Sequence, residues 1–70
     1  MREVDTRGFS CPQPVLMFHE AVKDNADEPL DVLVDNQASL ENVTRAAQKN
    51  GYQVTAHDVD GTVTRLELRR

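Results

Sequence analysis

Residues 30–52 read LDVLVDNQASLENVTRAAQKNGY. Leu30, Val32 and Val34 alternate with Asp31 and Asp35, the period of a strand with one face on a core and one in solvent. Leu33 breaks the alternation, so part of the second face is also expected to be covered. Asp35-Asn36-Gln37 turns the chain, and Ser39 is the expected N-cap of a following helix. Leu40, Val43 and Ala47, with Ala46 alongside, form one face of that helix. Asn50-Gly51 stops it, because glycine accepts the left-handed backbone that a helix C-terminus needs. The stretch is one strand–helix unit, and it sets the frame for both flanks.

On the C-terminal side, Tyr52, Val54 and Ala56 alternate as the inward face of a third strand, and Leu66 and Leu68 do so in a fourth. Asp60-Gly61 marks a hairpin between them. A two-residue loop would set Val54 opposite Glu67, apolar against charged. A three-residue loop, Val59-Asp60-Gly61, instead pairs Val54 with Leu66 and Tyr52 with Leu68, and a one-residue slip would turn a strand inside out. On the N-terminal side, Arg2 to Asp5 is a short strand carrying Val4, broken by Gly8. From Pro14 the pattern is helical: Val15, Phe18 and Val22 share a face with Ala21, and the helix should end near Asn25. The order βαβαββ predicts an α+β two-layer sandwich, a four-stranded mixed sheet with two helices packed on one face. The other face should show Asp31, Gln53, Thr55, His57, Arg65 and Glu67 to solvent.

Seventy residues suit a single domain, 1–70. With one cysteine no disulfide framework exists, and no Cys/His spacing suggests structural zinc. A net charge of −4 argues against direct nucleic-acid binding, which needs a basic face, and suits docking onto proteins. Met1-Arg2-Glu3-Val4-Asp5 is charged at once with no apolar stretch behind it, and no run approaches a membrane span. A cytoplasmic location is the expectation. No cofactor or metal is called for.

Cys11-Pro12-Gln13-Pro14 carries the chemistry. Proline is favoured in the first turn of a helix, where its missing N–H costs nothing, and a residue before proline is pushed to extended backbone. Two registers fit: Cys11 as N-cap with Pro12 first in the helix, or Gln13 as N-cap with Pro14 first. In either, the sulfur lies near the positive end of the helix dipole, which favours the nucleophilic thiolate. In the first register the Gln13 N–H is the natural partner for sulfur. Arg7 is a candidate source of local positive charge. No His or acid stands at catalytic spacing from Cys11, so the thiol reads as a carrier that accepts a group and hands it on. Gly8 is expected to meet a backbone requirement ahead of it. Leu16 and Met17 lie off the core stripe and either widen it or form an apolar patch for a partner. His19 and His57 are expected in solvent.

The run from Val4 to Val15, with Gly8 and Cys11-Pro12-Gln13-Pro14, resembles the N-terminal signature of the TusA/SirA/YedF family of small sulfur carriers, over essentially the whole chain. Val34-Asp35-Asn36-Gln37-Ala38, Glu41-Asn42-Val43 and Asn50-Gly51-Tyr52 look closest to the YedF N-terminal domain. The resemblance implies that Cys11 accepts a sulfane sulfur as a persulfide from a protein donor, a cysteine desulfurase or rhodanese-like protein, and relays it to a protein acceptor. It implies a sulfurtransferase-like carrier rather than a stand-alone enzyme, and the YedF branch implies a DsrE-like domain or partner. Two other readings stand beside it. One is an interaction or regulatory module in selenium metabolism, in which Cys11 carries no sulfur. The other is a nucleic-acid-binding domain of similar βαβαββ layout, against which the acidic charge weighs.

Overall fold

A computed structural model describes residues 2–10, 12–24 and 28–69. Six elements follow in the expected order: β1 (Arg2–Asp5), α1 (Gln13–Asp24), β2 (Leu30–Val34), α2 (Gln37–Lys49), β3 (Gln53–Asp58) and β4 (Thr64–Arg69). The sheet order is β1-β2-β4-β3. β1 and β2 are parallel across α1, while β4 runs antiparallel to both of its neighbours. β2 and β3 therefore point the same way with β4 between them. The two crossovers are parallel and the final hairpin antiparallel, as the sequence predicts.

The core forms where the helices meet one sheet face. Phe18 and Ala21 of α1 and Val43 and Ala47 of α2 are buried against Leu30, Val32, Val34, Leu66 and Leu68. Tyr52, just ahead of β3, is buried edge-on to Phe18, with centroids 6.0 Å apart. Leu66 is paired on both sides, with Val32 and with Ala56, so truncating it to alanine would cost about 2–5 kcal/mol. Ala56 has the expected orientation on β3 but stays exposed, since β3 is an edge strand.

Three expectations need correction. The hairpin loop is odd, as parity demands, but displaced by one residue to Asp60-Gly61-Thr62. The Val59 N–H donates to the Val63 carbonyl (2.8 Å), and Val54 pairs with Leu68 rather than Leu66. The cause is side-chain chemistry in the loop. Asp60 accepts from the amides of Thr62 and Val63 (both 3.0 Å), Asp58 accepts from Gly61 (2.7 Å), and Gly61 takes φ +90°. Moving the loop by one shifts the register by two, which leaves Leu66 and Leu68 facing inward.

Asp31 is buried rather than solvated, because Arg69 reaches it across the sheet (Nη1–Oδ1 3.3 Å). Arg69 also lies 3.5 Å from Glu67, and Glu67 lies 2.8 Å from His57 Nε2. The open face is thus polar but cross-linked. Leu33, on that face, is buried as its break in the pattern suggested.

Ser39 is not the N-cap of α2. Asn36 takes that place with extended backbone (φ −153°, ψ 157°), and its side-chain oxygen accepts from the Ser39 N–H at 2.8 Å. Ser39 is two residues inside the helix and 1% exposed, and its hydroxyl meets no partner among the described residues. A lost cap costs about 1 kcal/mol, whereas a buried, unpaired hydroxyl is itself unfavourable. Asn36→Ala should therefore lower the unfolding free energy by about 1 kcal/mol or more, while Ser39→Ala should leave it unchanged or raise it by about 1 kcal/mol. Urea denaturation of the two variants checks this; the opposite order would restore Ser39 as the cap.

Candidate functional site

The segment between β1 and α1 opens with a tight turn. Thr6 is fully buried, and its amide and hydroxyl both donate to the Leu33 carbonyl, extending the β1–β2 pairing by one residue. The Phe9 N–H then donates back to the Thr6 carbonyl (3.2 Å), and Gly8 stands third in this four-residue turn with φ +85°. That backbone position strongly favours glycine. Further on, the Gln13 N–H donates to the Ser10 carbonyl at 2.9 Å. Cys11 lies outside the described residues, bonded between Ser10 and Pro12.

The start of α1 follows neither of the two registers read from the sequence. The Leu16 N–H donates to the Pro12 carbonyl (3.1 Å), which places Pro12 at the cap, Gln13 first and Pro14 second in the helix. The register is set by burial: Pro14 is among the fully buried side chains, while Pro12 and Gln13 are exposed. The Gln13 N–H, expected as a partner for sulfur, is directed to Ser10 instead. No acidic side chain stands in the first turn of α1 to offset its positive end.

Arg7 does not supply free positive charge. Its guanidinium forms a two-pronged pair with Asp5, Nε–Oδ1 2.9 Å and Nη2–Oδ2 2.7 Å. The Arg7 hydrogen bonds hold the Asp5 carboxyl well below its ordinary 3.8, at about 2.

The loop's outer anchor was not visible in the sequence. The Gly8 N–H donates to Asp35 Oδ2 at 2.8 Å, and Asn36 Nδ2 donates to the Phe9 carbonyl (3.4 Å) and to Asp35 Oδ1 (3.1 Å). Asn36 thus caps α2 with its oxygen while its nitrogen steadies the chain ahead of residue 11. The amides of Gly8 and Asn36 lower the Asp35 carboxyl from its ordinary value. The signal available in the sequence is two Asx residues at a strand–helix junction, which do more than turn the chain. His19 and His57 are exposed, as expected. Leu16 is 54% and Phe9 46% exposed, which favours the patch over the widened core for Leu16. No group of three or more His, Cys, Asp or Glu suited to a metal ion occurs among the described residues. No helix among them is long and apolar enough to cross a membrane.

Comparison with known proteins places this geometry. The family model described as "Sulfurtransferase TusA" matches residues 2–70. The chain belongs to the TusA family. A protein of Methanocaldococcus jannaschii named "Putative sulfur carrier protein" is 34% identical over 71 aligned positions, covering 100% of this chain and 95% of that one. The crystal structure of a SirA-like protein from Desulfitobacterium hafniense superposes with a TM-score of 0.88 at 30% identity, over 97% of this chain and 95% of its own. This TusA-family domain therefore has the fold of its relatives along nearly its full length.

The anchor should respond to acid in a defined direction. A carboxyl lowered in the folded state stabilises above its ordinary pKa and loses that contribution as pH falls through the folded value. The Asp5–Arg7 link should therefore fail only toward pH 2, and the Asp35–Gly8 link only below the ordinary carboxyl value. An NMR titration of the Gly8 and Arg7 amides should show midpoints below 3.8; midpoints at or above that value would mean that the links do not hold in solution.

Proposed function

We propose that residues 1–70 act as one sulfur-carrier domain in which Cys11 bears the transferred sulfur. The reading rests on one observation above the others: a single cysteine, followed by Pro12-Gln13-Pro14, precedes a helix whose positive end meets no acidic side chain in its first turn. Membership of the TusA family supports the same reading.

The step is a sulfur exchange with no net oxidation. The Cys11 thiolate attacks the outer sulfur of a donor persulfide. The donor S–S bond breaks, the donor leaves as a thiolate, and Cys11 becomes the persulfide. An acceptor thiolate then attacks that outer sulfur, and Cys11 is released as the thiolate. The α1 dipole favours the thiolate at the start and at the end of the cycle. The chain's own contribution is presentation. Pro12 at the cap, buried Pro14 and the Gly8–Asp35 anchor restrict the backbone on both sides of residue 11, so less conformational freedom is lost on docking. The donor is a protein such as a cysteine desulfurase or a rhodanese-like protein, and the acceptor is a second protein.

Incubating the reduced chain with a cysteine desulfurase and cysteine should add about 32 Da, one sulfur, by intact mass. A reductant should remove it, and Cys11→Ser should not gain it while remaining folded by circular dichroism. If wild type gains nothing from the desulfurase or from inorganic polysulfide, or if the serine variant loads equally, Cys11 is not the carrier.

A further inference from the structure

An open groove of about 370 Å³ runs between the two helices. Pro12, Val15 and His19 line its α1 side, and Arg45, Ala46 and Lys49 its α2 side. Val15 and Ala46 are half-buried and join the core, so the floor is apolar. Arg45 and Lys49 are exposed, and neither meets a carboxylate among the described residues. Arg45 is oriented by Asn42 Oδ1, which accepts from its Nη1 at 3.2 Å.

Lys23 and Arg65 also meet no carboxylate among the described residues, but the groove is where two such cations share one lining. The net charge is −4, and the guanidiniums of Arg7 and Arg69 each face carboxylates. Among the described residues, the groove lining contains Arg45, Lys49 and His19 and no acidic residue. An apolar floor beneath uncompensated cations complements a segment that carries carboxylates beside apolar side chains. A trough this open exposes too much of a small molecule to hold it well, and its volume suits a few side chains of an extended peptide.

We propose that this groove docks an acidic, partly apolar segment of the protein that exchanges sulfur with Cys11. Pro12, bonded to Cys11, forms one end of the groove, so a segment seated there is held beside the reacting position. The link to sulfur exchange rests on the carrier reading above; binding of the segment does not. Docking of this kind acts chiefly on partner choice and encounter rate, and weakens with salt.

The test uses the full chain, ¹⁵N-labelled, with a peptide of alternating glutamate and leucine as probe. The peptide should shift the amides of Val15, His19, Ala46 and Lys49, bind less tightly as salt rises, and lose about tenfold or more in affinity in Arg45→Glu/Lys49→Glu. A lysine–leucine peptide should leave these amides unmoved. Loading of Cys11 from inorganic polysulfide should be the same in wild type and double variant, whereas loading from the protein partner should slow in the variant. The proposal is overturned if the acidic peptide leaves the groove amides unmoved, if charge reversal leaves its affinity unchanged, or if an RNA oligonucleotide takes the groove in its place. Groove binding by a chain that takes no sulfur even from polysulfide would overturn the carrier reading and leave the docking site standing.

Discussion

The hydrogen bond from the Gly8 amide to the Asp35 carboxylate joins two loops that the chain order keeps far apart. One loop leads from β1 into α1, the other from β2 into α2. Both strands are parallel, so both loops emerge at the same end of the sheet. Asn36 makes the junction a three-way one, because one amide group serves the Phe9 carbonyl, the Asp35 carboxylate and the start of α2. The placement of α2 and the path into residue 11 are therefore not independent. A change that loosens the Asp35-Asn36 turn disturbs the second helix and the reactive segment together.

Charge is distributed with the same economy. Acidic side chains gather where they accept hydrogen bonds: Asp5 from Arg7, Asp35 from Gly8, Asp60 from Thr62 and Val63. In each case the neighbouring donors hold the carboxyl below its ordinary value. On the open sheet face Arg69 meets Asp31 and Glu67, and His57 lies against Glu67. Among the described residues, Arg45 and Lys49 on the α1–α2 groove meet no carboxylate, and the groove brings the two together. A small acidic domain can in this way offer a locally basic surface.

Much of this was legible in the sequence, for a physical reason. Hydrophobic period reports which face of each element is buried, so the order βαβαββ, the two helix faces and the odd hairpin loop could all be read directly. Caps and anchors could not. Asp31 alternates like a solvent-facing residue, and its partner Arg69 lies 38 residues away, while the Gly8–Asp35 link spans 27. Contacts at such separations leave no local pattern. The same holds at the start of α1. Cys11-Pro12-Gln13-Pro14 announced a helix beginning, but its register depends on whether Pro14 or Pro12 is buried, and that is decided by the core. The hairpin shows the intermediate case. Parity fixed which side chains face inward, whereas Asp58 and Asp60 chose the loop residues through bonds that parity does not contain.

The strand order bears on how the chain assembles. β4 lies between β2 and β3, yet it follows both of them in the chain. Until it is made, β1, β2 and both helices can gather, but β3 has no strand beside it and β2 has one open edge. During synthesis, which proceeds from the N-terminus, the sheet thus stays in two pieces until residues 64–69 emerge. Leu66 and Leu68 then fill the middle of the core in the same event that joins the strands. The four-stranded sheet can therefore close only once residues 64–69 are present, because β4 joins β3 to the other two strands.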